Sequence, residues 1–192
     1  MSNFVFLVKL KRKKHTKQPE NFHRMKTREK SIELLNRAVA DELTAVHQYM
    51  YFHFYCDDYG YDPLSELFRR TAITEMMHVE RLAERILFLK GEVEMKPSQE
   101  VEKIHDVKKM LKKAAEMEDE SVNLYNEWAK TCADNFDSVT KKMFEDLAGE
   151  EEQHQDVFET EMDNLSKFGD NYLALQSLER SKAQATGAPA AE

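Results

Sequence analysis

Glutamate and histidine recur three residues apart at four places in the chain. The pairs are Glu20/His23, Glu75/His78, Glu102/His105 and Glu151/His154. Residues three apart lie on one face of an α-helix, so each pair could offer a carboxylate and an imidazole to the same metal ion. The bare motif is weak evidence, because two residue types at a single spacing often recur by chance.

Two of these pairs have a further glutamate 33 residues upstream. Glu42 precedes Glu75, and Glu118 precedes Glu151, so the two sets are related by a constant offset of 76 residues. The other two pairs have no such partner, and we interpret them as surface or leader residues. The doubled spacing predicts one metal site with six ligands: Glu42, Glu75, His78, Glu118, Glu151 and His154.

Four carboxylates and two imidazoles in a helical core would be very costly as unpaired charges, whereas two divalent cations cancel four negative charges. Hard oxygen donors with one imidazole per metal suit iron or manganese, while a structural zinc site usually has thiolates. We expect Glu75 and Glu151 to bridge two metals ~3.5–4 Å apart. The alternative is that all six residues lie on solvated helix faces.

Long amphipathic helices are needed to bring these residues together. The 192 residues include only 5 Gly and 4 Pro, which leaves little turn material for an all-β fold and favours helices. Apolar residues at helical spacing predict four long helices, A to D, and a short helix E. Their approximate bounds are residues 27–56, 63–90, 105–133, 138–167 and 171–180.

Turn residues predict how the helices connect. Asp62 is expected as the N-cap of helix B with Pro63 at its first position, and Gly91 at the C′ position that ends it. Pro97 lies in the longest link, residues 91–104. Short A–B and C–D links with a long B–C link predict an all-α, four-helix bundle with one crossover connection.

Charge is distributed unevenly along the chain. The first 30 residues contain ten Lys or Arg and two acidic residues, whereas the whole chain has 28 Lys and Arg against 36 Asp and Glu. We interpret residues 1–24 as a basic, flexible leader, 25–182 as one domain and 183–192 as a disordered tail. A basic leader could contact nucleic acid, but a charge run is more often a solvated tail, so no nucleic-acid partner is expected.

The sequence also predicts the cellular environment. The longest apolar run near the start, residues 4–8, is far shorter than the ~20 residues of a membrane-spanning helix, and no secretory signal is evident. Cys56 and Cys132 cannot form a disulfide framework, which favours a reducing compartment. We expect both to be buried packing residues, neither ligands nor a disulfide, in a cytoplasmic protein without a membrane partner.

A Glu from each of two helices with a Glu-x-x-His pair from each of the other two is the ligand set of ferritin-like di-iron and di-manganese proteins. At these residues the sequence resembles the bacterioferritins, over residues 25–182. The matched blocks include Asp41-Glu42-Leu43, Gln48-Tyr49, Glu75-Met76-Met77-His78, residues 84–91, Glu150 to His154, and Asn171-Tyr172-Leu173.

The resemblance implies an iron-storage protein whose ferroxidase centre, held by the six Glu and His residues, oxidises Fe(II) with oxygen or peroxide. The ferric mineral would lie inside a shell of 24 identical subunits built from two-fold dimers. The resemblance further implies that Met76 from each of two subunits ligates a b-type haem. Arg70 and Thr74 stand where some bacterioferritins have the His and Asp of an inner-surface iron site, so that site is not expected here.

For several residues, and for the function, the sequence allows more than one interpretation. Tyr49 resembles the redox-active tyrosine of the family, or is a core tyrosine. Tyr125 and Trp128 are interpreted as core residues, and Gly149 marks close packing or a bulge.

A DNA-protecting mini-ferritin of twelve subunits could use the basic leader, but would place its metal ligands at a subunit interface. A rubrerythrin-like di-iron peroxidase would need an electron relay, and the sequence has no Cys-x-x-Cys pair.

Overall fold

The computed structural model describes the backbone of residues 18–186 and the side chains of residues 28–182 except Asp170 and Glu179. Over this range the regular structure is entirely helical. The helices are α1 (Gln18–Asp58), α2 (Asp62–Phe88), α3 (Val107–Asp134), α4 (Ser138–Phe168) and α5 (Asp170–Thr186). They correspond to predicted helices A to E, so the predicted all-α fold is confirmed.

The first and last helices are longer than predicted. α1 begins at Gln18, nine residues before the expected start, so residues 18–24 are helical, and their assignment to a flexible leader stays a prediction. Pro19 is tolerated in the first turn, and no other Gly or Pro occurs before Gly60, so nothing interrupts the helix. α5 extends to Thr186, into the predicted tail. Residues 1–17 and 187–192 lie outside the described range, where both predictions stay predictions.

α1, α2 and α3 end in the same type of hydrogen-bonded turn. In each turn, a residue of positive φ follows the C-cap, and the N–H of the next residue donates to the carbonyl five residues before it. The positive-φ residues are Gly60 (74°), Lys90 (67°) and Phe136 (59°). The prediction that Gly91 holds this position in α2 is therefore wrong. Gly91 is the following residue, and a Cβ there would lie 2.8 Å from Cγ2 of Ile32, so glycine is needed for α1 to approach.

The predicted N-cap of α2 also shifts by one residue. Tyr61 is the N-cap, without a side-chain capping bond, and Asp62 is the first helical residue. The carboxylate of Asp62 instead lies 3.1 Å from Nη1 of Arg180 on α5. Arg180 also donates to the backbone carbonyl of Asp57, so α5 is attached to the turn between α1 and α2.

α1 and α2 form one antiparallel hairpin, and α3 and α4 form the other. Residues 89–106 carry the chain between the two hairpins and are the predicted crossover. The crossover is hydrogen bonded along α1: the side chain of Gln48 both donates to the carbonyl of Glu102, at 3.0 Å, and accepts from its N–H, at 2.8 Å. None of the described helices is long and apolar enough to cross a membrane.

The apolar core is divided into two clusters, one near each end of the bundle. One contains Trp128 and Phe144, and the other contains Phe52 and Phe158. Cys132 lies in the first cluster and Cys56 in the second, both buried and free, as expected. Each of the four long helices has one buried glutamate, which lies in sequence between the residues that the helix contributes to one cluster and those that it contributes to the other. These glutamates are Glu42, Glu75, Glu118 and Glu151.

Candidate metal centre

The structure brings together all six residues that the doubled spacing singled out. Their ligand-type atoms form two groups, within each of which the atoms lie no more than 4.8 Å apart. The first group contains Glu42, Glu75, His78 and Glu151, and the second contains Glu75, Glu118, Glu151 and His154. Five of the six are buried, and His154 is 17% exposed.

Glu75 and Glu151 belong to both groups and face both histidines. Nδ1 of His78 lies 2.9 Å from Oε2 of Glu75 and 3.1 Å from Oε1 of Glu151. Nδ1 of His154 lies 2.9 Å from Oε1 of Glu75 and 3.0 Å from Oε2 of Glu151. Each central carboxylate therefore presents one oxygen toward each histidine, as a carboxylate that bridges two metal ions does.

Unsatisfied polar atoms converge at this point. Among the described side chains, four buried atoms of the cluster have no hydrogen-bond partner: both carboxylate oxygens of Glu75, Oε1 of Glu151 and Nδ1 of His78. These atoms lie close to one another but without hydrogen-bonding geometry, and buried polar atoms are costly unless they are paired. Two divalent cations would satisfy all four atoms, and the oxygen-rich donor set suits iron or manganese.

Burial sets the ionisation of the outer carboxyls. Burial, followed by repulsion from Glu151 and Glu75, raises the pKa of Glu42 well above its usual value. The pKa of Glu118 is raised in the same way by burial and by the same two charges. Protons therefore compete with cations for these carboxylates, as is general for metal ligands.

The central carboxylate and the histidines stabilise each other's charge. Burial alone would raise the pKa of Glu151, but the imidazoles of His154 and His78 outweigh it and lower this pKa to about 2. Burial alone would lower the pKa of His154, but Glu151 and Glu75 raise it to about 11. The pKa of His78 is also raised, since Glu151, Glu42 and Glu75 outweigh its burial. A metal ion that binds there would displace the protons from the nitrogens that face these carboxylates.

Two buried tyrosines donate hydrogen bonds to the outer carboxylates. Tyr49 on α1 donates to Oε1 of Glu118 on α3 at 2.5 Å, and Tyr125 on α3 donates to Oε1 of Glu42 on α1. Tyr49 was expected beside the site, whereas Tyr125 was expected only as a core residue. The signal that could have found Tyr125 is its 76-residue offset from Tyr49, the same offset that relates the two ligand sets.

His78 has a further partner that sequence reasoning missed. Its Nε2 lies 2.9 Å from Oε2 of Glu150, and Nη1 of Arg81 lies 2.7 and 2.8 Å from the two oxygens of that carboxylate. Glu150 belongs to one of the blocks that resemble bacterioferritins, but nothing in its spacing distinguishes it from an exposed helix residue.

Comparison with known proteins places the chain in a family. A family model, "Ferritin: Ferritin-like domain", matches residues 32–168. A bacterioferritin from Desulfovibrio desulfuricans is 36% identical over 169 residues, which cover 85% of this chain and 94% of the relative. The chain belongs to the bacterioferritin family. A bacterioferritin from Brucella melitensis is 34% identical, over 76% of this chain and 91% of its own.

Solved bacterioferritin structures have the same fold. The structure from D. desulfuricans, whose di-iron site was captured in different catalytic states, has a TM-score of 0.78 at 36% identity and covers 80% of this chain and 90% of its own. The structure from Rhodobacter capsulatus has a metal-free dinuclear site and haem iron in a crystallographic special position. Its TM-score is 0.74 at 32% identity, and it covers 78% of this chain and 93% of its own.

Two other residues of this bacterioferritin lie near the site. Met76 is 52% exposed on α2, although the adjacent Glu75 is buried, and it lies beside the exposed Ile73 and Met77. A Cβ on Gly149 would meet nothing within 4 Å, and α4 continues through it as a regular helix. Both expectations for Gly149, close packing and a bulge, are therefore wrong.

An open cavity between α1, α3 and the crossover reaches the carboxylates of Glu42 and Glu118. Its inner lining includes Glu42, Glu118 and Tyr49. The other charged residues of its lining are four acids and one lysine: Asp41, Glu100, Glu102, Glu120 and Lys113. Burial raises the pKa of Asp41 from its usual value. The acidic lining favours cations over anions in this cavity.

Proposed function

We propose that the six clustered residues are the ferroxidase centre of this iron-storage protein. Iron storage with ferroxidase activity follows from membership of the bacterioferritin family. The observation that carries the assignment to particular residues is the overlap of two ligand groups, with Glu75 and Glu151 common to both. The D. desulfuricans relative, with a di-iron site in different catalytic states, supports iron as the metal.

The two groups support a role for each ligand in this proposal. Glu42 and His78 would hold one iron ion, Glu118 and His154 would hold the other, and Glu75 and Glu151 would each offer one oxygen to each ion. Iron, which is both substrate and cargo, supplies the electrons that reduce the oxidant. Four carboxylates neutralise two Fe(II) ions, and they stabilise the higher charge of the oxidised metal more strongly.

The tyrosines and the cavity complete the proposed route. Tyr49 and Tyr125 hold the outer carboxylates in place through hydrogen bonds. Fe(II) approaches through the acidic cavity, drawn by its carboxylates and by the formal net charge of −8 on the chain. Oxygen or peroxide is the proposed oxidant, and it reaches the metals by the same opening.

The position of the ligands bears on the alternative functions. All six side chains come from the bundle of a single chain, whereas a mini-ferritin site would need ligands from two subunits. We therefore favour the larger, 24-subunit shell over a DNA-protecting dodecamer. The cytoplasmic, reducing location expected from the cysteines is part of the same proposal.

The exposed face of α2 supports the proposed dimer and its haem. Ile73, Met76 and Met77 would leave apolar side chains in water on an isolated subunit. A second subunit related by a two-fold axis would cover them and would place two Met76 thioethers on opposite faces of a haem. The haem iron in the R. capsulatus structure supports a haem in this protein.

The experiment that tests the proposed function is the double substitution Glu42→Ala and Glu118→Ala. Its initial rate of Fe(II) oxidation, followed by absorbance, should fall more than tenfold, because even outer partners of metal ligands cost about 10–100-fold when removed. The matched control replaces two exposed acids of the same bundle, Glu127→Ala on α3 and Glu152→Ala on α4. Particle mass should be unchanged in both variants, and a wild-type rate in the first would contradict the proposal.

A further inference from the structure

The 76-residue repeat relates the two halves of the site, but two residues that contact each other, Glu150 and Arg81, have no equivalent at this offset. The ligands and the tyrosines all have counterparts at this offset. The counterpart of Glu150 is Thr74, and the counterpart of Arg81 is Val157. Glu150 contacts His78, and Arg81 contacts Glu150. His78 therefore has a carboxylate neighbour that His154 lacks, although the glutamates around the two histidines are equivalent.

At His78 the contact with Glu150 fixes which ring nitrogen is free to bind metal. An ionised carboxylate only accepts hydrogen bonds, so Nε2 of His78, 2.9 Å away, carries the hydrogen. Nδ1, which faces Glu75 and Glu151, is then the nitrogen from which a metal ion would displace the hydrogen. Arg81 holds the carboxylate through both of its oxygens, so the ring is fixed in orientation as well as in tautomer.

At His154 the corresponding support is missing. The hydroxyl of Thr74 donates to the backbone carbonyl of Arg70 at 3.2 Å and so bonds within its own helix. Val157 has no polar atom in its side chain, and no described residue forms a hydrogen bond with Nε2 of His154. The ring is also more accessible, 17% exposed against 1% for His78.

We infer that Glu150, anchored by Arg81, is a positioning residue that makes the two metal positions unequal. The metal beside Glu42 and His78 is bound more tightly than the metal beside Glu118 and His154, because only His78 is already held in its binding orientation and tautomer. A carboxylate on the outer nitrogen also makes the inner nitrogen a better donor. The inference rests on the proposed function, since it requires that both positions bind metal.

The test uses zinc alone, bound to the assembled protein at less than one ion per site. Crystals of the metal-free protein are equilibrated with limiting Zn(II), and anomalous scattering gives the occupancy of each position. In the wild type, we expect occupancy at the His78 position to exceed that at the His154 position about tenfold or more. The charge-neutral variant Glu150→Thr with Arg81→Val gives His78 the surroundings of His154, and should bring the ratio close to one.

Two further variants separate positioning from general stability. Glu150→Gln keeps an oxygen acceptor, so it should retain most of the preference. Glu152→Ala removes an exposed carboxylate from the same helix and should leave the ratio unchanged. A purely structural role for Glu150 would lower both occupancies together, whereas a positioning role changes their ratio, by a factor of about 10–100 in relative affinity.

The outcomes separate this inference from the proposed function. Equal occupancy in the wild type, or an unchanged ratio in the Glu150→Thr, Arg81→Val variant, would overturn the inference and leave the ferroxidase assignment intact. Absence of zinc from both positions would overturn the assignment, and the inference with it.

Discussion

Tyr49 and Tyr125 lie at equivalent positions on α1 and α3, and each donates its hydroxyl to the outer carboxylate of the opposite helix. Burial, followed by the charge of the neighbouring glutamate, raises the pKa of both tyrosines well above the usual value. Both hydroxyls are therefore donors at neutral pH. The crossed pair connects the two hairpins on either side of the metal centre.

Removing either hydroxyl should weaken one metal position more than the other. Tyr49→Phe frees the carboxylate of Glu118, and Tyr125→Phe frees that of Glu42, so each should lower zinc affinity about 10–100-fold at the position its glutamate serves. Anomalous occupancies at limiting zinc measure both positions at once. Tyr61→Phe, far from the carboxylates, is the control, and equal losses at both positions would contradict this selective role.

Haem binding should depend on Met76. Met76→Leu keeps a similar side-chain volume, so packing of the proposed dimer should survive while the axial thioether is lost. Protein purified from haem-sufficient cells should show a Soret band that is absent from this variant. Met77→Leu is the neighbouring control and should keep its haem. If Met76→Leu retains haem, the methionine is only an interface packing residue.

Stability should fall in acid partly through Asp137. Burial alone would raise its pKa, but hydrogen bonds from Thr140 and Ser31 and the charge of Arg85 outweigh burial and lower the pKa below its usual value. A depressed carboxyl pKa adds stability above the unfolded value, near pH 4, and this stability is lost as the pH falls through the folded pKa.

The measurement compares Asp137→Asn with the wild type by denaturant unfolding from pH 6 to pH 2.5. At pH 6 the variant should be less stable by about 2 kcal/mol, because Arg85 and Thr140 lose a charged hydrogen-bond partner. The difference should shrink as the pH falls below about 4. Asp134→Asn, which removes an exposed carboxylate at the end of α3, is the control. A difference that does not change with pH would rule out this linkage.

Two equivalent turns should respond in opposite directions to substitution. Gly60 and Phe136 hold the same positive-φ position, 76 residues apart, after α1 and α3. An L-residue there costs about 1–2 kcal/mol, so Phe136→Gly should stabilise the protein and Gly60→Ala should destabilise it by roughly this amount. The Cβ added by Gly60→Ala would also press on Cδ of Arg180, 3.3 Å away. Melting temperatures measure both effects, and shifts of the same sign would refute the prediction.

The clustering of the six glutamate and histidine side chains was predictable because helices are regular. Two residues three apart must share a helix face, and a second copy at a constant offset places the same set on the second hairpin. The 33-residue separation of Glu42 and Glu75, repeated in Glu118 and Glu151, was therefore enough to predict that these side chains cluster in space. Composition indicated the helical class for a related reason, since a chain with so few Gly and Pro can form little else.

Contacts between helices were not predictable in the same way. Glu150 lies on the other hairpin from His78 and Arg81, and only the packing of α2 against α4 brings it to these two side chains. Gly91 was assigned from the usual preference for glycine at C′, but its role is set by the distant Ile32. Tyr125 is intermediate, because the repeat contained its signal although its chemistry as an isolated residue suggested only core packing.

The sharing of Glu75 and Glu151 between both groups of ligands has a consequence for biosynthesis. Each group needs at least one side chain from each hairpin, so neither metal position exists until the two hairpins have docked. A half-folded subunit cannot assemble either position, and redox-active iron would meet a complete centre only in correctly folded chains. In the proposed centre, iron oxidation therefore depends on the docking of the two hairpins.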